Sequence, residues 1–312
     1  MSHVARDAAG KRPTALARIL LQEDLNFLVT NRIPRRLATK AMARFSRIRS
    51  RRLTRWSIAV WQLFADDLRL DESLDRDFES LHACFTRRLK PGRRPIDEDP
   101  SVLVSPCDAI LGAHGHIEDG LLIQAKGLTY TLDELVGERT TAARYRQGIF
   151  LTLRLQAHMY HRFHAPCQGQ VRGVTYIAGD TWNVNPIALA RVERLFCRNE
   201  RAIVDIAPAW PETAVAMIPV AAILVGGIRF DFLPTPLDLS HRGRRHFATD
   251  VRLTKGGEIG RFEAGSTIIL LASGPFQLAD GLRAGQQLNV GQALLHYATP
   301  PPPTTEDRPC VR

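Results

Sequence analysis

Between Ala15 and about Leu89, apolar residues return every three or four positions: Leu16, Ile19 and Leu20, then Leu37, Met42, Phe45 and Ile48, then Trp56, Val60, Trp61, Phe64 and Leu68. Residues so spaced share one face of a helix, so the pattern predicts short amphipathic helices. Pro34 breaks the run, because proline ends or kinks a helix. Residues 1 to about 12 are polar and predict a frayed end. Lys90 to Pro100 (KPGRRPIDEDP) is dense in proline and charge and predicts a linker or a loop leading into a new module. Beyond Pro100 the texture changes to short β-branched runs separated by Gly, Asn and Asp: Ser101 to Val104, Gly120 to Lys126, Ile149 to Leu155, Gln170 to Ile177, Ala202 to Ile206, Ala214 to Val225 and Gly260 to Ala272. These predict a mostly antiparallel β domain with few helices, one of them near Thr131 to Val136. The expected fold class is α+β, with N-terminal amphipathic helices over residues 1–90 and the β-rich domain over residues 91–312.

Composition allows this and charge sharpens it. The 312 residues are 45% apolar and 24% charged, enough to bury a core and too apolar for a disordered or fibrous chain. From Arg32 to Arg55 there are ten basic residues (Arg32, Arg35, Arg36, Lys40, Arg44, Arg47, Arg49, Arg51, Arg52 and Arg55) and no acid, whereas the other 32 of the chain's 42 Lys and Arg balance its 32 acids. Cations interleaved with Leu37, Met42, Phe45 and Ile48 and followed by Trp56 and Trp61 suit an anionic membrane surface, where arginines meet phosphates and the apolar face enters the acyl boundary. Nucleic acid is the rival partner for a basic patch. The tryptophans, and the lack of any helix-turn-helix or RNA-binding signature, favour the membrane, so no nucleic-acid partner is expected. The plain alternative is a solvated helix face packed on the domain.

Five cysteines (Cys84, Cys107, Cys167, Cys197 and Cys310), odd in number and without a CxxC pair, argue against a disulfide framework or a structural zinc site and point to a reducing compartment. The longest uncharged apolar run, Thr213 to Ile228, is shorter than the ~20 residues of a spanning helix and contains Pro219, so no transmembrane helix is expected. The patch Ile19 to Leu21, stopped by Glu23 and Asp24, is too short for a secretory signal, and a cytoplasmic home is expected.

Three segments could carry chemistry. AHMYHRFHAPCQG sets His158, His161 and His164 at intervals of three. Such imidazoles could ligate zinc from one helix face, but Pro166 disfavours helix at Ala165 and no acid lies among them, so acid–base roles are preferred to a metal and His158 is read as a packed or exposed side chain. SPCDAILG places Asp108 after a strand, where it is either a turn former or, given a histidine and a nucleophile, the carboxylate that orients the histidine. KGGEIGRFEAGSTIILL comes close to a phosphate-binding loop, but Ser266 stands where the lysine is needed. Gly-Ser-Thr before an apolar strand is an ordinary turn in the plain reading. In the sharper one, Gly265 offers an unhindered carbonyl beside the Ser266 hydroxyl, as a self-cleaving bond requires.

Taken together, these pieces resemble the phosphatidylserine decarboxylase family of pyruvoyl-dependent enzymes. Gly265-Ser266-Thr267 resembles its self-cleavage motif, HMYHRFHAPCQG its histidine motif and SPCDAILG its aspartate motif, with support from FTRRLKPGRRPID, QAKGLTYTLDELVG, GDTWNVNP and LFCRNERAI over roughly residues 80 to 272. Two departures are Ala109, where the family commonly has Gly, and VAAILVGGI, which ends in Gly-Gly where Gly-Ser is usual.

The resemblance implies a chemistry that no side chain supplies alone, since decarboxylation of an α-amino acid needs an electron sink conjugated to the amine. The implied sink is a covalent pyruvoyl group derived from Ser266, with no metal and no pyridoxal phosphate. Ser266 Oγ attacks the Gly265 carbonyl, an ester forms, and elimination and hydrolysis leave chains 1–265 and 266–312, which stay together as a heterodimer; a homo-oligomer is left open. His164, oriented by Asp108, is the implied base for maturation. His161 is the implied acid that protonates the substrate carbon in a catalytic cycle running through a Schiff base with Ser266's pyruvoyl group. The implied reaction turns phosphatidylserine into phosphatidylethanolamine and CO2 in a β-rich catalytic domain held peripherally at the cytoplasmic face of the cell membrane. Alternatives are a soluble pyruvoyl-dependent decarboxylase of a free amino acid, a Ser266/His164/Asp108 hydrolase that never cuts itself, and a noncatalytic membrane-binding module.

Overall fold

The computed structural model describes residues 27, 34–65, 67–223, 227–238, 241–263 and 267–298. Of the predicted helical region, Leu16, Ile19 and Leu20 lie outside the described residues, as does Cys310. Two helices, Arg35–Ser46 and Arg51–Phe64, follow the predicted periodicity, and the Ser50 hydroxyl caps the second by accepting from the Leu53 N–H. Their inward faces carry small polar residues, with Thr39, Thr54 and Ser57 buried, while Leu37, Phe45, Ile48, Trp56 and Leu63 are exposed. Trp61, expected at a membrane interface, instead packs inward and stacks on Phe85 with centroids 6.1 Å apart.

Helix does not continue to Leu89. After Phe64 there is only a 3-10 turn, Leu70–Glu72, and a short helix, Leu81–Phe85. The intervening run is dense in Asp and Ser, whose side chains bond nearby backbone in place of the helix ladder. Asp67 accepts from the Arg69 N–H and Ser80 from the Ala83 N–H.

The β region is built on an eight-stranded, wholly antiparallel sheet in the order Arg244–Leu253, Gly169–Ile177, Arg201–Pro208, Ala214–Val220, Thr267–Ser273, Ile149–Arg154, Ala109–His116, Gln287–Leu288. Both faces are covered, which is why Ile268 to Leu271 is apolar at every position: Ile268 and Leu270 face one core, with Leu153 and Met217, and Ile269 and Leu271 face the other, with Phe150 and Ile218. The helix expected near Thr131 is Leu132–Val136, started by a reciprocal Thr131–Glu134 capping box, and it helps cover the second face.

The single run expected from Gly260 to Ala272 is two strands in different sheets. Glu258–Phe262 lies between Ile228–Phe230 and Arg162–His164 in a three-stranded sheet, and Thr267–Ser273 lies in the main one. The strand Arg244–Leu253 escaped the pattern because it is a sheet edge rich in charge, the usual way edges are kept from pairing with other chains.

Gly260 is the tightest point of the small sheet: a Cβ there would run into the Arg229 carbonyl and stand 2.7 Å from the Phe163 ring. Gly260→Ala is therefore expected to lower stability by about 1–3 kcal/mol, as overpacking does; chemical denaturation is the check, and an unchanged midpoint would mean that the two strands can separate freely.

Candidate active site

Four strand ends meet at one end of the main sheet. Ile110 pairs with Arg154, Arg154 with Thr267, and Thr267 with Val220, so Asp108, Leu155 and the chain immediately before Thr267 are gathered there. Ala264, Gly265 and Ser266 themselves lie outside the described residues, but both flanks are fixed. Thr267 is fully buried, and its hydroxyl has no hydrogen-bond partner among the described residues. On the other flank, Glu263 is a charge hub: its carboxylate accepts from His82 Nε2 at 2.6 Å and Arg47 Nη2 at 2.7 Å, and Arg261 Nε stands 3.2 Å away. Burial works to raise its pKa, but the His82 hydrogen bond and the charges of His82, Arg261 and Arg47 outweigh it and hold the group at about 2.

The histidine segment is bound to the strand that leads to Gly265. Arg162–His164 pairs with Glu258–Phe262, and the Phe262 N–H donates to the His161 carbonyl at 3.0 Å. Pro166 does exclude helix here, and the segment is extended. His161 is fully buried, lies flat on Phe85 with centroids 3.9 Å apart, and donates from Nε2 to the Ala157 carbonyl at 3.0 Å. That bond fixes the tautomer, leaving Nδ1 as a buried acceptor with no partner among the described residues. Burial pushes its pKa down to about 3, so the ring is neutral. His164 donates from Nδ1 to the Gly256 carbonyl at 2.8 Å, and its Nε2 accepts from the Tyr160 hydroxyl at 3.1 Å; burial lowers its pKa too. Gly256 turns that carbonyl toward the ring from a left-handed backbone, φ +77°, where a Cβ would strike Ile96. His158 lies apart from both rings' bonds and lines a neighbouring cavity, its carbonyl accepting from Arg87 at 3.0 Å.

Asp108 does not orient His164. Its carboxylate is held by Arg94, from Nε at 2.8 Å and Nη2 at 2.6 Å, and by the Val290 N–H at 3.0 Å. The planar guanidinium fork matches a carboxylate in two places at once, which a neutral imidazole N–H cannot do. The aspartate and histidine motifs still touch through backbone, the His164 N–H donating to the Pro106 carbonyl at 2.8 Å. Arg94 came from a stretch read as a linker, and its bridge to Asp108 and to Glu72, 2.9 Å away, was illegible there because the partners are distant in sequence. The partners of Arg87 and Glu263 are likewise distant in sequence.

The described cysteines are free thiols, and among the described residues no group of three or more His, Cys, Asp or Glu is placed to hold a metal ion. Among those residues no helix is long and apolar enough to cross a membrane.

The α+β scaffold sets His161 and His164, both with pKa lowered by burial, on the segment paired with the strand that runs to Phe262. The chain belongs to the phosphatidylserine decarboxylase family, whose model matches residues 81–296. It is 35% identical over 279 residues to the phosphatidylserine decarboxylase proenzyme of Vibrio cholerae, which covers 85% of this chain and 96% of that protein. The proenzyme of Brevibacillus brevis is 34% identical over 272 residues (85% and 95%), and that of Halorhodospira halophila 38% over 222 residues (70% and 74%).

The neutral His161 makes stability fall in acid. The unfolded ring protonates near pH 6.5 and the folded one only near 3, so its contribution is complete above pH 6.5 and is lost as pH drops through that window. At pH 5 the loss is about 2 kcal/mol. His161→Phe is expected to flatten the decline in unfolding free energy between pH 7 and 5; an identical slope would place the titration elsewhere.

Proposed function

We propose that this chain is a phosphatidylserine decarboxylase that cuts itself between Gly265 and Ser266 and acts on phosphatidylserine at the cytoplasmic face of an anionic membrane. The observation that carries the reading is the junction around residues 264–266: the strand before it is laddered to the histidine segment, and the strand after it is the buried centre of the main sheet. In maturation Ser266 Oγ attacks the Gly265 carbonyl while His164 Nε2 takes the hydroxyl proton, with Tyr160 as its hydrogen-bonded neighbour. The Gly256 carbonyl holds that tautomer, the part once expected of Asp108. Asp108 keeps Arg94 and the Val290 loop in place and adds negative charge near the ring. After cleavage, pairing on both edges of Thr267–Ser273 keeps chain 266–312 within the body of chain 1–265.

A pyruvoyl group at residue 266 fits the residues present, since the Thr267 hydroxyl, without a partner among the described residues, adjoins that position in sequence, and His161 Nδ1, likewise without one, lies on the segment laddered to its other flank. When present, that group supplies a carbonyl that takes up the substrate amine and an electron sink for the pair left as CO2 departs. His161 serves the proton that follows. Once Nδ1 carries a proton, the same burial that disfavours the charged ring makes it a strong acid, which gives the proton to the substrate carbon. The exposed Leu37, Phe45, Ile48, Trp56 and Leu63, set among arginines, form the membrane-facing surface.

Intact mass of the purified protein is the decisive measurement. Two chains divided at Ser266 are expected from the wild type and one inactive chain from Ser266→Ala. A wild type that stays whole while hydrolysing esters would point to the Ser/His/Asp hydrolase instead.

Replacing the outward residues in the full chain, Trp56→Ser with Leu63→Ser, is expected to lower co-sedimentation with phosphatidylserine vesicles at least fivefold while processing continues. Undiminished sedimentation would put the membrane contact elsewhere.

A further inference from the structure

Arg154 ends the strand Ile149–Arg154 and lies directly across from Thr267, so its side chain leaves the same face of the sheet as that of the residue following Ser266. It lines a cavity of about 500 Å³ together with Trp61, Ala65, His158, Asn183 and Asn185, a size within the range of roughly 300–1,000 Å³ usual for small-ligand sites. Trp61 and Ala65 bring in the second N-terminal helix, whose far face carries Trp56 and Leu63, so the cavity sits between the proposed membrane surface and the strand end.

What sets Arg154 apart is that its guanidinium has no partner among the described residues. The buried arginines nearby are all held: Arg87 by the carbonyls of Leu68 and His158, Arg94 by Asp108 and Glu72, Arg162 by Glu258 and the Thr86 carbonyl. Arg154 is half-buried, and no hydrogen bond or ion pair among the described residues engages its guanidinium; burial alone pushes its pKa down. A half-buried cation without a counter-charge is costly, and an anion in the cavity would remove that cost.

We infer that Arg154 binds the phosphodiester of the lipid headgroup and thereby sets the substrate's amine beside residue 266, an assignment that rests on the decarboxylase reading. The substrate offers two anions, and the chemistry separates them. The carboxylate loses its charge as CO2 forms, so a cation bound to it would stabilise the starting state and slow the reaction, whereas the phosphodiester stays charged throughout and can be held equally in ground and transition states. A guanidinium fork also matches two phosphate oxygens at once. The expected signature is therefore in KM, with little change in kcat.

In mixed micelles, Arg154→Gln should process normally by intact mass, raise the KM for phosphatidylserine at least tenfold and change kcat less than threefold, with Arg154→Lys in between. A second readout needs no turnover: calorimetric titration of the processed wild type with glycerophosphoethanolamine, with ethanolamine and with inorganic phosphate. Only the first should bind the wild type well, and Arg154→Gln should weaken it at least tenfold without altering ethanolamine. An unchanged KM with unchanged glycerophosphoethanolamine affinity would overturn the assignment. So would a rise in kcat accompanying the rise in KM, which would put the cation on the carboxylate, or inorganic phosphate binding as tightly as the headgroup, which would make this a free-anion site. If the wild type releases no CO2 from phosphatidylserine, the proposed reaction fails, and the titrations still decide whether Arg154 holds a phosphodiester.

Discussion

The seven residues Thr267–Ser273 are hydrogen-bonded to neighbours on both edges, to Ile149–Arg154 and to Ala214–Val220, and Thr267 to Ala272 are buried almost completely. A strand so placed cannot leave without opening both cores, because its alternate side chains belong to different ones. For a chain proposed to be cut just ahead of it, that constraint matters more than any other. The new end at residue 266 starts from a point that pairing and packing hold still, so an electrophile made there inherits the rigidity of the sheet centre, as precise chemistry needs. Everything else in the site is arranged relative to that strand end.

The N-terminal helices reach the site by two routes. Trp61 stacks on Phe85, and Phe85 lies against His161, so an aromatic column runs from the helix with the exposed Trp56 to a buried imidazole. Separately, Arg47 and His82 converge on Glu263, three residues before Ser266. Arg87 and Arg162 add carbonyl contacts in both directions between residues 68–88 and the histidine segment. The helices are thereby part of the site's packing, and a membrane that holds their outer face also orients the cavity beneath them.

Periodicity carried much of this fold. The alternation of two packed faces makes Ile268 to Leu271 apolar throughout, and that run, like Ile149 to Leu155, is legible as strand, while the run expected from Ala214 to Val225 is strand only as far as Val220. What was not legible depended on distance in sequence. Nothing in KPGRRPIDEDP says that Arg94 will meet Asp108, since the pairing exists only after the chain folds back, and local composition describes the segment equally well as a linker. The Asp108–His164 bond was expected for the converse reason: residue types suited to a triad do not show which stronger partner stands closer. Pro166 disfavours helix at Ala165 because it acts locally on its neighbour, whereas the break between Phe262 and Thr267 is hidden because two consecutive strands of unlike sheets look like one apolar run.

Two of the buried polar atoms without a partner among the described residues belong to the segments that flank residues 264–266. An unsatisfied buried donor or acceptor costs about 1–3 kcal/mol, so folded proteins keep few of them. The Thr267 hydroxyl and His161 Nδ1 are two, and beside them the half-buried Arg154 makes no hydrogen bond or ion pair among the described residues. The fold clasps Glu263 from three sides and holds Asp108 in a guanidinium fork, whereas the buried Glu200 carboxyl has no hydrogen-bond partner among the described residues. On the proposed reading, this donor, this proton acceptor and this cation serve the carbonyl oxygen, the mobile proton and the permanent anion of a decarboxylation on an amine-bearing phospholipid. The departing carboxylate alone is offered no charged partner by these three groups, and a group that must lose its charge reacts most readily where nothing stabilises that charge.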